Sequence, residues 1–458
     1  MSNTQQLTGV LEEFGLWRTG VINNSAFECV PISFSESNEW RFVDGALRHH
    51  SGGFFSIVGL HSTSRHPALD GQQRIIILQP QIAINGYLVR RGDDGSEILC
   101  QGRVEPGNVS VMQLAPTVQS TEANIKRLHG GAAPPLVSWF TGDHPVHTIV
   151  DGLQSEEGSR YHGKYNRNVV LEIPADDIEL PTNFRWFRLS ELREFVVSSN
   201  IFNTDSRSVL SCMDWDWLVG DDGPFSDAEP GGFAESLRRS YRATRQDADF
   251  VDIVTWLTRL RVHAALRSNI VPIDQVKNWQ IHDGEIREVQ DQLGFCVRQY
   301  RIQARGREVS GWDQPLIDSA GVGRVTLACQ ERNGLLRFLL QADYQVGYLE
   351  GVQLSSSLCT APGESINDND PVQGQLVERI DTGNDVIVHA SCRQSEEGGR
   401  FYQDENDYQI VELDPRIELP ESDNYRWATL AQIRELLTIP GMAAIELRNA
   451  LSMLLHFS

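Results

Sequence analysis

The chain has 458 residues, a formal net charge of −22, 40% apolar residues and 22% charged residues. That is enough chain for two or three buried cores, with the composition of an ordinary globular protein. A field of this sign repels nucleic acid and anionic membranes, so neither is an expected partner; a few bases and backbone N–H groups still suffice to hold a small anion.

Purely apolar runs are short, as at Ile75 to Leu78, and none is long enough for a membrane span. No basic segment followed by an apolar stretch opens the chain, so a cytoplasmic location is expected. The seven cysteines (29, 100, 212, 296, 329, 359, 392) form no C-x-x-C pair, which points to free thiols and no metal site.

In chain order, a helix is expected around Trp17, the counterpart of Trp256 in a helix at 250–266. There Val251, Val254, Leu257, Leu260 and Val262 recur at helical spacing. β-like runs follow at 54–58, 74–78 and 86–89. A turn at Gly92-Asp93-Asp94-Gly95 joins the last run to 97–101 as a hairpin. Residues 168–173 form a strand ended by Pro174, and Ser190 is placed as a helix N-cap, with Arg193 and Glu194 facing solvent. Gly220 to Gly232, rich in Gly, Pro and acid, is expected to be a solvated, mobile linker. The pattern then repeats, with strands at 337–341 and 409–413, a loose segment at 361–373 and a helix at 430–437. Central strands with peripheral helices make an α+β fold.

The chain also repeats itself. Gln154-Ser155-Glu156-Glu157-Gly158 returns as Gln394-Ser395-Glu396-Glu397-Gly398, 240 positions later. The same offset aligns Gly107 with Gly347, Gln113-Leu114 with Gln353-Leu354 and Glu172 with Glu412. A period this long marks a duplicated domain rather than a solenoid. The expected division is an N-terminal module at 1–220, a linker at 221–249 and a C-terminal module at 250–458, related by a pseudo-two-fold.

The copies differ where chemistry is expected. Glu105-Pro106-Gly107-Asn108 becomes Gln345-Val346-Gly347-Tyr348, and Lys164 and Arg167 become Asp404 and Asp407. A phosphate site does not survive the loss of its cations to two acids. Residues special to the first module are therefore the functional candidates. Shared ones, Glu156 and Glu157 among them, are read as structural. The amides, hydroxyls and glycines of the first module suit a polyol and a diphosphate, because amides and hydroxyls both donate and accept and glycines let backbone N–H groups reach phosphate.

These blocks resemble the NDP-hexose 2,3-dehydratases. The resemblance rests on Gln79-Pro80, Glu105 to Asn108, Gln113 to Gln119, Asn124, His129, Leu153 to Glu156 with Gly158, Lys164 with Asn166-Arg167-Asn168, and Arg207 to Cys212. It implies two modules of Nudix-hydrolase-like topology in a homodimer. It implies a dTDP-4-keto-6-deoxyhexose substrate, no cofactor, and a downstream 3-ketoreductase that consumes the product. The Nudix box R-E-x-x-E-E-x-G, whose carboxylates hold Mg²⁺, is not present as a string.

In the implied reaction a base removes the C3 proton, donors hold the C4 oxygen of the enolate, and an acid assists departure of the C2 hydroxyl. Glu105 is the first choice of base, because Gln345 replaces it in the second copy; the alternative is a carboxylate that holds a turn. His129 is a second acid–base candidate, and Tyr161 with Lys164 is an acid or oxyanion pair. Gln79, Asn108, Gln113, Thr117, Gln119, Asn124, Asn166 and Arg167 are expected to bind substrate; Trp40 and Trp139 are candidates to stack on thymine, but Trp40 recurs as Trp279 and is read as core packing. The competing expectations are a nucleotide-sugar-binding module without turnover and a divergent Nudix hydrolase.

Overall fold

In the computed structural model, which describes residues 3–92, 95–174, 178–220, 222–226, 228–290, 294–364, 370–420 and 422–458, helices and strands mix in an α+β arrangement. Two seven-stranded sheets dominate, and their strand orders correspond. The N-terminal one runs His147–Ser155, Tyr165–Glu172, Ala83–Gly92, Gly95–Val104, Phe184–Arg188. The C-terminal one runs Val386–Ser395, Glu405–Leu413, Gly323–Arg332, Leu335–Tyr344, Tyr425–Ala428. In both, the second and third strands are parallel, with Asn166 opposite Ala83 and Asn406 opposite Gly323. The outer strand bulges at matching positions, between Thr148 and Val150 and between Val388 and Ala390.

Tyr87, Leu88 and Val89 are consecutive and all fully buried, so the N-terminal sheet is covered on both faces. Tyr87 and Val89 join the central core, which includes Val209 and Leu210 of the helix Thr204–Cys212. Leu88 joins an outer core with Phe140, Leu171 and Phe184. Such a strand reads as a continuous apolar run because each face has its own partner layer.

The smaller sheets tie the halves together. Glu28–Ile32 pairs with Phe295–Gln303 of the C-terminal half, and Arg267–Val271 pairs with Ser56–Thr63 of the N-terminal half. Each half therefore lends the other the strand that follows its first helix. At the centre, the helices Thr204–Cys212 and Ile445–Ser452 pack together, each with a fully buried arginine. Arg207 donates to the Ser395 carbonyl at 3.2 Å and to Gln394; Arg448 donates to the Ser155 carbonyl at 2.5 Å. A buried guanidinium needs such partners, and the repeated Gln-Ser-Glu-Glu-Gly string supplies them across the two halves.

Three local expectations are corrected. Ser190 does not cap its helix, which spans Leu189–Phe195; the Glu191 carboxylate accepts from the Arg188 N–H at 2.9 Å and closes the helix end instead. The 220–232 stretch is not a free linker: Phe225 is buried against Trp215 and Tyr241, and the helix Phe233–Tyr241 follows at once. One aromatic residue outweighs the polar composition around it, because burying it releases its whole ring from water. Pro371 opens the helix Pro371–Thr382, capped by Asp370, because proline lacks only an N–H that the first turn does not use. Gly92 and Gly95 face each other as the hairpin required, while Asp93, Asp94 and residues 365–369 lie outside the described residues. Among the described residues no helix is long and apolar enough to cross a membrane.

Candidate active site

A cavity of about 270 Å³ opens between the two halves. Its N-terminal wall is built at the parallel strand pair. Asn166 lies near the start of Tyr165–Glu172, Ala83 and Asn85 near the start of its neighbour, and Gln119 sits opposite Asn85 on Val118–Ser120. Asp205, in the first turn of the central helix, holds this wall in register: Asn85 donates to it at 2.6 Å and Gln119 at 2.5 Å. Asn203 donates to the Gln119 carbonyl oxygen at 2.8 Å, so the amide is fixed at both ends.

Four titratable groups converge in this space. Glu156 is buried and accepts from Asn166. Burial first, and the nearby Glu397 charge second, push its pKa up to about 7, against the pull of Arg448 and Lys164. Lys164 donates to the Gln81 carbonyl; burial brings it down to about 8, although Glu156 and Glu397 oppose the shift. Tyr161 donates to Glu397 Oε2 at 2.9 Å, and burial raises its pKa well above the usual phenol range. Asp205 is likewise raised, chiefly by burial, then by Glu156 and Glu397.

Glu105 also lines the cavity, with its carboxylate between two guanidiniums. Arg103 and Arg307 both bind its carboxylate, Arg307 at 2.9 Å. Burial raises its pKa, but the two guanidiniums outweigh burial and hold it below the usual value. A carboxylate so held is a weak base. The Pro106-Gly107-Asn108 turn beyond it is a joint between the halves. Gly107 N–H donates to the Gly398 carbonyl at 2.7 Å, and a β-carbon on Gly107 would lie 1.6 Å from the Phe401 oxygen.

Of the other expected residues, Gln79, Gln119, Asn124, His129 and Asn166 join Tyr161, Lys164 and Glu105 in the cavity wall. His129 Nδ1 accepts from the Gly131 N–H at 2.9 Å, and its buried Nε2 has no hydrogen-bond partner among the described residues. Gln79 accepts from Arg400 at 3.3 Å. Four residues fall outside the wall. Arg167 forms an exposed two-bond pair with Asp151, both bonds 2.7 Å. Thr117 crosslinks strands, accepting from the Leu88 N–H at 2.9 Å and donating to the Leu99 carbonyl. Gln113 donates to Ser395 Oγ at the joint, and Asn108 ties the turn to Arg103 and Val111. Trp139 stacks on His144 away from the cavity, whereas Trp40 lines it.

The residues that the sequence did not offer are Glu156, Asp205 and the whole C-terminal wall. Arg307, Trp312, Gln314, Glu397 and Arg400 all come from the second copy. Arg400 stacks on Phe55 of the first at 4.2 Å. The signal was the pair of adjacent acids in the repeated string. Glu156 and Glu397 serve the cavity; their neighbours Glu157 and Glu396 turn to its counterpart, where the Glu157 charge helps raise Glu396. Recurrence marked a shared boundary rather than mere scaffolding. No group of three or more His, Cys, Asp or Glu side chains able to hold a metal ion is found among the described residues.

A polar, largely buried cavity with amides, a near-neutral carboxyl and a buried amine defines a site for proton transfer on a polyol. The family model for NDP-hexose 2,3-dehydratase matches residues 11–213 and 251–454, and the chain belongs to that family. A dTDP-4-dehydro-6-deoxy-alpha-D-glucopyranose 2,3-dehydratase of Saccharopolyspora spinosa is 32% identical over 96% of this chain and 90% of its own length. One of Amycolatopsis orientalis is 30% identical over 96% and 89%. Among solved structures, an ADP compounds hydrolase is 19% identical with a TM-score of 0.23, covering 35% of this chain and 83% of its own. A C. elegans Ap4A hydrolase has a TM-score of 0.18, and likeness this slight carries no argument.

Proposed function

We propose that the protein is a dTDP-4-keto-6-deoxyglucose 2,3-dehydratase. The observation that carries this is the meeting of Glu156, Lys164 and Tyr161 in one buried cavity, in a member of this family. The C4 ketone acidifies the C3 proton. Once that proton is lost, the C3–H electron pair forms a C3–C4 double bond and charge gathers on the C4 oxygen. Lys164, a cation in a water-poor wall, is placed to hold that charge. The pair then returns to re-form the ketone, a C2–C3 double bond forms, and the C2–O bond breaks. Glu156, with a pKa near neutrality, gives its proton to the departing hydroxyl, which leaves as water. The resulting enol tautomerises to a 3,4-diketo-2,6-dideoxy sugar.

Gln79, Gln119, Asn124 and Asn166 present paired donors and acceptors for sugar hydroxyls and phosphate oxygens. His129 is a further donor to phosphate or the leaving group. Glu105 serves as the anion that fixes Arg103 and Arg307. Around this site we place two duplicated Nudix-like modules, on the strength of the repeated strings and the corresponding sheet orders. A cytoplasmic homodimer and a downstream 3-ketoreductase that consumes the labile diketone complete the proposal.

Incubation with dTDP-4-keto-6-deoxyglucose in D₂O with EDTA, followed by mass spectrometry and NMR, tests the reaction. Loss of water with deuterium at C2 is the expected result. A sugar nucleotide that binds unchanged would leave a binding module, and dTMP formed only when Mg²⁺ replaces EDTA would mean a hydrolase.

A further inference from the structure

The turn after Val386–Ser395 brings Glu397, an acid of the C-terminal half, into the cavity that holds Glu156 and Lys164. Its carboxylate is held at one oxygen: Tyr161 donates to Oε2 at 2.9 Å. Among the described residues no hydrogen bond and no ion pair engages Oε1. Gly399 stands beside that oxygen, and a β-carbon there would lie 2.4 Å from it, so the glycine keeps its approach open. Glu397 thus keeps one carboxylate oxygen unengaged in a cavity whose cation Lys164 feels its charge, and a group that served only to pack there would be better replaced by a neutral amide at lower desolvation cost.

The counterpart acid shows the contrast. Glu157 accepts from Ser159, lies beside Arg160, and is not in the cavity wall. Phe401 stands where Tyr161 would be needed to orient it. Of two acids related by the repeat, only Glu397 is oriented by a phenol and faces open space.

We propose that Glu397 is the catalytic base that removes the C3 proton, so that the active site is a joint product of both halves. This rests on the dehydratase function proposed above. Glu397 Oε1 takes the C3 proton as the C3–H pair moves into the enolate. Glu156 loses its proton to the departing C2 hydroxyl. The base has gained one proton and the acid has lost one, and exchange with solvent through the cavity mouth resets both. Tyr161 is a positioning residue that holds Oε2 so that Oε1 points at C3.

The test separates proton removal from water loss. The full-length enzyme is given substrate in D₂O, and deuterium at C3 of recovered substrate is followed beside release of water, with dTDP affinity measured in parallel. Glu397→Gln is expected to lower both C3 exchange and water loss about 10³-fold, with dTDP affinity retained. Glu397→Ala is expected to be partly restored by added formate, which a structural role would not allow. Tyr161→Phe, which copies the natural Phe401 of the second half, is expected to lower kcat about tenfold with little change in KM. Glu157→Gln is expected to keep the wild-type rate within a few-fold. Retained C3 exchange in Glu397→Gln, a loss confined to KM, or no response to formate would overturn the assignment. If the wild-type enzyme itself releases no water, the dehydratase function fails, and this assignment with it.

Discussion

The cavity and the set of C-terminal residues that stand 240 or 241 positions after its own acids and Lys164 differ in charge. On the cavity side Glu156 and Glu397 share their space with Lys164, and Asp205 is tied by Asn85 and Gln119. On the other side Glu396 and Glu157 share theirs with Asp404 in place of Lys164 and Glu446 in place of Asp205. Asp343, in place of Arg103, adds another acid, and Tyr348 bonds it at 2.9 Å where the cavity side has Asn108. At this one position the cavity side has a lysine and the other side a further acid, although Arg160 and Arg207 still act on the acids there. Burial favours the protonated forms on that side, pushing Glu396 up to about 8 and Asp404 to about 7. The comparison shows that similar acids acquire different surroundings when one neighbouring position holds Lys164 in one half and Asp404 in the other.

The largest effect should come from making the two sides alike. Lys164→Asp, which copies the counterpart, is expected to reduce turnover by about 10³-fold or more through loss of the donor to the C4 oxygen. Steady-state kinetics of a variant that still binds dTDP will show this. A rate within tenfold of wild type would remove Lys164 from the mechanism.

The joint between the halves gives the next effect. A β-carbon at Gly107 has no room against the Phe401 carbonyl. Gly107→Ala is therefore expected to cost about 3 kcal/mol of stability, in line with other overpacked sites. Denaturant unfolding would report it, and an unchanged midpoint would mean that the joint yields freely.

The protonated cluster predicts a smaller, pH-dependent effect. Asp404 has a folded pKa raised above its ordinary value, so between the ordinary carboxylate range and about 7 the folded chain holds more protons than the unfolded one. Stability is then lost as pH rises through that window. Asp404→Asn is expected to raise the melting temperature by a few degrees at about pH 8 and to change little near pH 4. Equal shifts at both pH values would contradict this. At the small end, Arg167→Ala removes an exposed pair with Asp151 and one 3.3 Å bond to the Phe140 carbonyl, and should change activity and stability by about 1 kcal/mol or less. A marked rise in KM would return Arg167 to the site.

Much of this was legible in the chain. The repeat announced the corresponding sheets, and apolar runs such as Arg74 to Leu78 became strands. Gln79, Gln119, Asn124, His129, Tyr161 and Lys164, chosen because the second copy lacks their chemistry or the family motif carries them, do meet in one cavity. What was hidden depends on contacts between distant segments. The exchanged strands Glu28–Ile32 and Arg267–Val271 carry no mark of which sheet they will join. Glu105 was chosen because Gln345 replaces it in the second copy, but its pKa is lowered by Arg103 and by Arg307, 202 positions away. Glu156 was set aside because it recurs, and recurrence is what a pair of acids facing opposite sides of a boundary produces. Asn108, Gln113, Thr117 and Arg167 are polar for joints, strand crosslinks and surface pairing, roles that their types alone do not distinguish from binding.

Glu156 and Glu396, at equivalent positions of the two halves, are expected to differ in function. This difference is tested most directly by comparing Glu156→Gln with Glu396→Gln in one assay of water loss from dTDP-4-keto-6-deoxyglucose, with melting temperatures recorded for both. Glu156→Gln is expected to lose at least about 10²-fold in kcat while still exchanging the C3 proton, and Glu396→Gln to keep its rate. Equal losses in the two variants, or a larger loss in Glu396→Gln, would contradict this difference.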